Sequence, residues 1–193
     1  MALASTIPLS SSSYAFSRGF AGSNVQVDMY IDLTCSDTKD QWETLTQVFT
    51  DYGDKVNFLV HVFPLPYHTW AFLTSKAAHI VDRYGAEGDI WAFMDKVFEE
   101  QETLLNKLSY HKTYEMVSRM VEEWAGDVTS VSSEDFKVGM ASQDIEMQTR
   151  YMWKFATLHN MYGTPLYVLN GVQDTSLESY EDWSKTLDGL LDA

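Results

Sequence analysis

The chain has 193 residues and a formal net charge of −15, because 28 acidic residues outnumber 13 basic ones. This length suits one hydrophobic core, or one domain that carries an insertion. Nucleic acids and anionic membranes are expected to be poor partners, since phosphate binding requires clustered lysine and arginine. The single cysteine excludes an internal disulfide and any metal site built on several cysteines.

The first residues, MALASTIPLSSSS, are mostly small or hydroxyl-bearing and predict a flexible lead-in over residues 1–13. They lack the basic start and the long apolar stretch of a secretory signal peptide. We therefore expect a cytoplasmic location, with the reservation that a leader removed before residue 1 leaves no trace in this sequence. No apolar run approaches the ~20 residues that a membrane-spanning helix needs.

A β-α-β unit is predicted after a short edge strand within residues 14–24. Residues 25–33, VQVDMYIDL, alternate and predict a strand whose apolar side chains share one face. Apolar side chains then recur at helical spacing up to Gly53, a typical residue for a helix end. Residues 55–63, KVNFLVHVF, are nearly continuously apolar, as in a strand that is buried on both faces. Cys35 therefore lies at a strand-to-helix junction.

The second half of the chain is predicted to be helical first and to return to strands later. Three amphipathic stripes follow PLPYH, and a polar stretch, AGDVTSVSSEDF, separates them from a long helix at about 143–161. YGTP ends that helix, and LYVLNGV predicts a strand and an Asn-Gly turn. Ser179 and Asp182 form a capping-box pattern at the start of a closing helix. This order predicts a mixed sheet with helices on both faces.

Four segments together resemble thioredoxin-fold proteins of the DsbA-like branch, which carry a helical insertion within a thioredoxin core. The resemblance covers residues 14–193. It depends on the order and spacing of the four segments, because the middle of the chain matches the family only in its general character and not in a motif. The family's C-x-x-C motif appears here as Cys35-Ser36-Asp37-Thr38. The four segments are VDMYIDLTCSDTK, HVFPLPYHTWA, YGTPLYVLNGV and SYEDWSKTLDGLL.

The resemblance implies an α/β protein with a thioredoxin fold, in which helices flank a central mixed β-sheet. The core would comprise residues 14–67 and 145–193, and an all-helical insertion would occupy residues 68–144. The resemblance also implies a cis peptide bond at Pro165.

In such proteins the residue before the cis-proline, here Thr164, offers its backbone to an extended peptide, which would add as a strand beside the cysteine. Ser36 and Asp37, in the turn that follows Cys35, would contact the same substrate.

The position of Cys35 sets limits on its chemistry. The N-terminus of a helix stabilises a thiolate, and the hydroxyl of Thr38, one turn along, could donate to the sulfur. Asp32 and Asp37 oppose this effect through their negative charge. Because Thr38 replaces the second cysteine, Cys35 can form a mixed disulfide but no internal one. An external thiol, such as glutathione or a thiol of the substrate, must then release it.

Several interpretations stay open for the individual residues. Cys35 is either a reactive thiol or a small buried side chain, as free cysteines commonly are. Asp32 and His68 are possible modulators of the thiol, although Asp32 could be purely structural and His68 could cap the next helix. His61 fits a hydrogen-bonded core histidine. No histidine has the spacing of a metal ligand, so neither a metal nor a bound cofactor is expected.

Three functions fit the sequence. The first is a monothiol thiol-disulfide oxidoreductase or isomerase, acting through Cys35 on protein or peptide substrates. The second is a protein that keeps the peptide- or ligand-binding groove but has lost redox turnover. The third and weaker one is a glutathione-dependent transferase or isomerase, for which the sequence carries no separate glutathione-binding pattern. The sequence gives no indication of the oligomeric state.

Overall fold

A computed structural model describes residues 14–193, so the predicted lead-in at residues 1–13 lies outside the described part. The strands are β1 Phe16–Gly19, β2 Gln26–Ile31, β3 Asn57–Val62, β4 Leu166–Leu169 and β5 Val172–Asp174. The α-helices are α1 Ser36–Tyr52, α2 Ala71–Tyr84, α3 Asp89–Glu100, α4 Asn106–Ser109, α5 Tyr114–Val128, α6 Ser133–Ala141, α7 Gln143–Leu158 and α8 Tyr180–Leu191. A 3₁₀ turn, Gln101–Leu104, joins α3 to α4.

The five strands form one mixed sheet in the order β1-β3-β2-β4-β5. β2 and β3 are parallel and are connected by α1, as the predicted β-α-β unit requires. β1, β4 and β5 join the sheet antiparallel, so β2 lies at its centre. The predicted mixed sheet with flanking helices is confirmed. It places the C-terminal end of β2 beside the N-terminal end of β4.

The strand β2 is buried on both faces, not on one. The alternating apolar set is buried as expected, but Asp28, Tyr30 and Asp32 on the other face are buried as well. α7 covers that face, where Tyr30 packs with Phe155 in a second apolar cluster. Asp28 is compensated by a 2.8 Å hydrogen bond from Nε2 of His61. The alternation in the sequence identified the strand but not the second packing layer.

The closing hairpin and helix follow the sequence closely. Asn170 and Gly171 both have positive φ, 46° and 86°, as a tight two-residue hairpin turn requires. Ser179 and Asp182 form the predicted capping box at the start of α8. The long helix α7 ends at Leu158 instead of about residue 161, because the chain turns into the left-handed region at Asn160.

The polar stretch before α7 was predicted to be a connection, and this prediction is wrong. Only residues 129–132 of it connect two helices, because residues 125–128 end α5 and residues 133–136 begin α6. The side chain of Ser132, the N-cap residue of α6, accepts a hydrogen bond from the backbone N–H of Asp135. α6 buries only Phe136 and Gly139, so its apolar stripe is too short to recognise in the sequence. The helices α2 to α6 thus form the helical insertion between β3 and α7. Within residues 14–193, no helix has both the length and the apolar character needed to cross a bilayer.

Candidate functional site

Cys35 follows β2 by four residues and is the N-cap residue of α1, without a capping hydrogen bond from its side chain. Its backbone is extended, with φ −85° and ψ 125°, and its carbonyl accepts a hydrogen bond from Lys39 N at 3.1 Å in the first turn of α1. Its side chain lies in the apolar cluster under α7 and the residue is 5% exposed. The Sγ atom donates a hydrogen bond to the carbonyl oxygen of Thr164, 3.3 Å away. Cys35 is therefore both a helix cap and a thiol that faces a distant loop.

The loop opposite Cys35 contains the cis peptide bond between Thr164 and Pro165. The antiparallel pairing of β2 with β4 carries this loop to the cysteine, because Tyr30 lies opposite Leu166 in the register. Thr164 is 8% exposed, and its side-chain hydroxyl has no hydrogen-bond partner among the described residues. The expected cis-proline is confirmed, and it lies beside the cysteine.

Asp32 is a fully buried carboxylate that accepts four hydrogen bonds. Its Oδ1 accepts from the N–H and the hydroxyl of Thr34, at 2.8 and 2.7 Å. Its Oδ2 accepts from the N–H of Leu65 at 3.0 Å and from Nδ1 of His68 at 2.8 Å. His68 is thus a partner of Asp32 and does not cap α2, which begins without a side-chain cap. Together, the two residues join the loop before Cys35 to the loop after β3.

The hydroxyl of Thr38 was expected to donate to the sulfur, but the two groups form no hydrogen bond. Thr38 is fully buried in the first turn of α1, and its hydroxyl has no hydrogen-bond partner among the described residues. Ser36 and Asp37 are exposed beside it, and the Ser36 hydroxyl donates to Asp37 Oδ1 at 3.4 Å. The structure therefore places all four residues of the motif at one helix end, with Thr38 inside and the two middle residues outside.

Two residues near the cysteine were missed by the sequence analysis. Gln101, which is 2% exposed, donates from Nε2 to the carbonyl oxygens of Leu33 and Cys35, at 3.0 and 2.9 Å. Tyr67 is 60% exposed, and the pKa of its hydroxyl is raised by partial burial and by the negative charges of Cys35, Asp32 and Asp37 nearby. Neither residue lies in a pattern that could have revealed its position.

The geometry can support sulfur chemistry but shows no metal centre. Among residues 14–193, no group of three histidine, cysteine or acidic side chains is placed to hold a metal ion. A cysteine at the first turn of a helix has free N–H groups and the positive helix end beside it. Opposite it, the backbone before a cis-proline faces the sulfur. These are the parts of a site at which a thiol meets an extended peptide.

This combination of a mixed sheet, a helix that begins at a cysteine and a facing cis-proline defines a thioredoxin fold. The family model Thioredoxin_4, described as thioredoxin, matches residues 12–189. Because the match spans most of the chain, the protein belongs to this family. The resemblance noted in the sequence is confirmed for family and fold.

Solved structures support the same fold. BdbD from Bacillus subtilis, in its oxidised form, has a TM-score of 0.71 and 18% identity, over 94% of this chain and 95% of that one. MdbA, a thiol-disulfide oxidoreductase from Actinomyces oris, has a TM-score of 0.68 and 19% identity, over 91% and 85%. A protein from Pseudomonas syringae, provisionally named a protein-disulfide isomerase, has a TM-score of 0.74 and 17% identity, over 90% and 98%.

At these identities the likeness establishes the fold, and the activity has to be argued from the site. No curated protein sequence matches the chain.

Proposed function

We propose that this protein catalyses thiol-disulfide exchange on protein or peptide substrates, with Cys35 as its nucleophile. The observation that carries the proposal is the 3.3 Å contact between the Cys35 sulfur and the Thr164 carbonyl, at the N-terminus of α1 and beside the cis peptide bond of Pro165. MdbA is described as a thiol-disulfide oxidoreductase, and this class of reaction extends to the present protein only through the shared fold.

The resting thiol is held by its hydrogen bond to Thr164. When the thiol loses its proton, that bond is lost, and the free N–H groups of the first turn of α1 stabilise the thiolate. The Thr38 hydroxyl lies in the same turn and has no hydrogen-bond partner within residues 14–193. In this proposal the hydroxyl donates to the thiolate once the sulfur has lost its proton. Thr38 would thereby take the place of the absent second cysteine as a neighbour of the sulfur.

The exchange proceeds in two balanced steps. The Cys35 thiolate attacks one sulfur of the substrate disulfide, so that a mixed disulfide forms, the original S–S bond breaks and the leaving thiolate takes up a proton. A second thiol then attacks the mixed disulfide and restores Cys35. If that thiol belongs to the substrate, the result is isomerisation. If it is glutathione acting on a glutathionylated substrate, the products are the free substrate thiol and glutathione disulfide.

Substrate binding would use the backbone of Thr164. An extended segment that adds as a strand at this loop would place its cysteine next to Cys35, with Ser36 and Asp37 exposed at the rim. Because Cys35 is only 5% exposed, the substrate must displace the contact between the sulfur and Thr164 before it reacts. Asp32 and His68 would act here as positioning residues, since they fix the loop that precedes Cys35.

The burial of Cys35 also favours a second candidate function. A thiol that is 5% exposed and bonded to a carbonyl resembles a structural group more than a working nucleophile. In that case the protein would bind an extended peptide at the Thr164 loop without turnover. In this alternative the peptide-docking surface is kept and the thiol chemistry is absent. The two functions therefore differ only in whether Cys35 turns over a substrate.

The test compares wild type with Cys35→Ser in the glutathione-dependent reduction of a glutathionylated peptide. Cys35 is the only cysteine, so every thiol reaction of the chain must pass through it. We expect turnover in wild type and a loss of at least about 100-fold in the variant, since a serine hydroxyl cannot form the mixed disulfide. Intact-mass measurement should show one glutathione bound to wild type and none to Cys35→Ser.

A Thr38→Val variant serves as the matched control for the hydroxyl, because valine keeps the buried volume and removes the oxygen. We expect it to retain mixed-disulfide formation at a lower rate. Equal turnover in wild type and Cys35→Ser would contradict the proposed function. If neither protein turns over the peptide but both bind it, the result would support the binding function.

A further inference from the structure

An acidic cleft of about 370 Å³ lies between the first turns of α1 and the β4–β5 hairpin. Two of its carboxylates, Asp37 and Asp40, come from α1, and two others, Asp174 and Glu178, come from the end of the hairpin and the loop that follows. In the described part of the chain, no lysine, arginine or histidine lines it. Within residues 14–193, none of the four carboxylates forms an ion pair. No ion pair within the described residues therefore compensates their charges.

The wall of the cleft also contains a buried polar group without a partner. Tyr167 is 4% exposed, lines the cleft, and its hydroxyl has no hydrogen-bond partner in the described part of the chain. Its ring packs edge-to-face on Trp183 of α8, with centroids 4.8 Å apart, so the side chain points to the sheet face that α1 and α8 cover. Asp174 lies directly opposite Tyr167 in the β4–β5 pair and shares that face. Buried polar groups are rarely left unpaired without a reason.

The wall of the cleft contains a second buried polar atom without a hydrogen-bond partner among the described residues. The side-chain carboxamide oxygen of Gln41, another residue of the cleft wall, is buried without a partner among the described residues. The wall of the cleft thus holds two buried oxygens without a partner among the described residues, and four carboxylates. Of these carboxylates, Asp174 already accepts hydrogen bonds at Oδ1 from the N–H and the hydroxyl of Ser176, both at 2.7 Å. A ligand that satisfies this set must be rich in donors and positively charged, as the ends of lysine and arginine side chains are.

The cleft is continuous with the predicted peptide-docking loop. Pro165 lines it, and Thr164, the preceding residue, contacts the sulfur of Cys35. A segment laid along Thr164 therefore carries its neighbouring side chains to the mouth of the cleft. We propose that the cleft selects substrates in which a lysine or arginine lies within a few residues of the cysteine that Cys35 attacks. This inference rests on the proposed function and names the class of substrate.

The test uses peptides with one cysteine, activated as a mixed disulfide with 5-thio-2-nitrobenzoate, in versions that carry lysine, glutamine or glutamate beside that cysteine. The Cys35 thiolate attacks the peptide sulfur and releases the coloured thiolate, whose appearance gives the rate. We expect the lysine version to react about tenfold faster than the glutamate version at low salt. The ratio should shrink in about 0.5 M NaCl, where charges on the surface are screened over a few ångströms.

Two double variants distinguish an effect of the cleft on the peptide preference from an effect of the overall charge. In Asp174→Asn/Glu178→Gln, the ratio between the lysine and glutamate versions should fall to about twofold. Glu123→Gln/Asp127→Asn removes the same number of charges from the exposed face of α5 and should keep the full ratio. A ratio that falls equally in both double variants would overturn the inference, because the preference would then come from the net charge of −15.

The remaining outcomes distinguish the inference from the proposed function. Cys35-dependent reaction with all peptides at equal rates would overturn the inference and leave the proposed function intact. If no peptide reacts through Cys35, the proposed function fails. Equilibrium binding of the same peptides with serine in place of cysteine then decides the inference. A preference for lysine that Asp174→Asn/Glu178→Gln removes supports it, and equal binding of the lysine and glutamate versions overturns it.

Discussion

Asp32 shows how one residue organises the surroundings of the cysteine. A carboxylate that is fully buried is expensive to desolvate, and it is tolerated here because four donors surround it. Three of these donors are neutral groups of Thr34 and Leu65, and the fourth is His68. The sequence left open whether Asp32 is structural or a modulator of the thiol. The hydrogen bonds show a structural connection between two loops.

His79 is a second buried polar residue, and its burial leads to a prediction about stability. It is 7% exposed on α2 and its Nε2 has no hydrogen-bond partner among the described residues. Burial, and to a lesser extent the charge of Arg83, lowers the pKa of His79 from 6.5 to about 4. Between pH 4 and pH 6.5, His79 therefore binds a proton in the unfolded chain but not in the folded chain. This contribution to stability is present above pH 6.5 and is lost as the pH falls towards 4.

From this shift we expect wild type to lose about 2 kcal/mol through His79 between pH 7.5 and pH 5. His79→Gln, which does not titrate, should lose less over the same range, although it starts from a lower stability. Urea unfolding of both proteins at the two pH values measures the difference. Parallel pH dependences in the two proteins would show that His79 does not carry the effect.

At the scale of elements, α6 shows where local patterns are insufficient. Its buried residues are few, and one of them is Gly139, which has no side chain and gives no apolar signal. The glycine is needed because α6 packs closely on α2. A Cβ atom at Gly139 would lie 2.6 Å from Cγ1 of Ile80, well inside normal contact. The requirement for glycine at position 139 is thus set by the neighbouring helix α2, and the sequence of α6 alone does not reveal it.

Two glycine substitutions in helices should therefore have opposite signs. Gly139→Ala should destabilise the protein by about 1–3 kcal/mol, because the methyl group forces Ile80 or the helix to shift. Gly126→Ala, in the last turn of α5 with no described atom within 4 Å of the added Cβ, should stabilise it by about 0.5 kcal/mol. Thermal or urea unfolding of both variants tests the difference. Stabilisation by both would mean that the α2–α6 contact is less tight than described.

At the scale of the whole molecule, three distant parts of the chain meet at Cys35. The cysteine comes from the β2–α1 junction, the Thr164–Pro165 loop comes from the second half of the fold, and Gln101 comes from the helical insertion. The insertion is also joined to the core by the hydrogen bond from Nε1 of Trp42 to Asp95, at 2.7 Å. The insertion therefore supports the site directly.

Replacement of Gln101 tests this support. Gln101→Met keeps a similar volume but removes the donor, so the Leu33 carbonyl loses this buried partner and Cys35 O keeps only Lys39 N. We expect a loss of about 2 kcal/mol in the free energy of unfolding. Gln143→Met, at an exposed position in α7, is the control and should change it by less than about 0.5 kcal/mol. A similar small change in both variants would show that the insertion does not stabilise the cysteine loop.

The sequence by itself determined the features that depend on neighbouring residues. Alternation identified β2, and helical spacing identified α1 and three helices of the insertion, α2, α3 and α5. Local chemistry identified the Asn170–Gly171 turn and the cap at Ser179. The position of Cys35 between a strand and a helix was also legible. These features follow from backbone preferences and from the burial of one face, which a short segment expresses in its own composition.

Only the tertiary structure decided what surrounds the cysteine. The hydrogen bond to Thr164, the pairing of Asp32 with His68, the approach of Gln101 and the acidic cleft beside Pro165 all join residues that are far apart in the chain. The alternation in β2 could not reveal its second buried face, because α7 covers that face from more than a hundred residues away. Contacts of this kind are set by how layers pack, and no short segment encodes them alone.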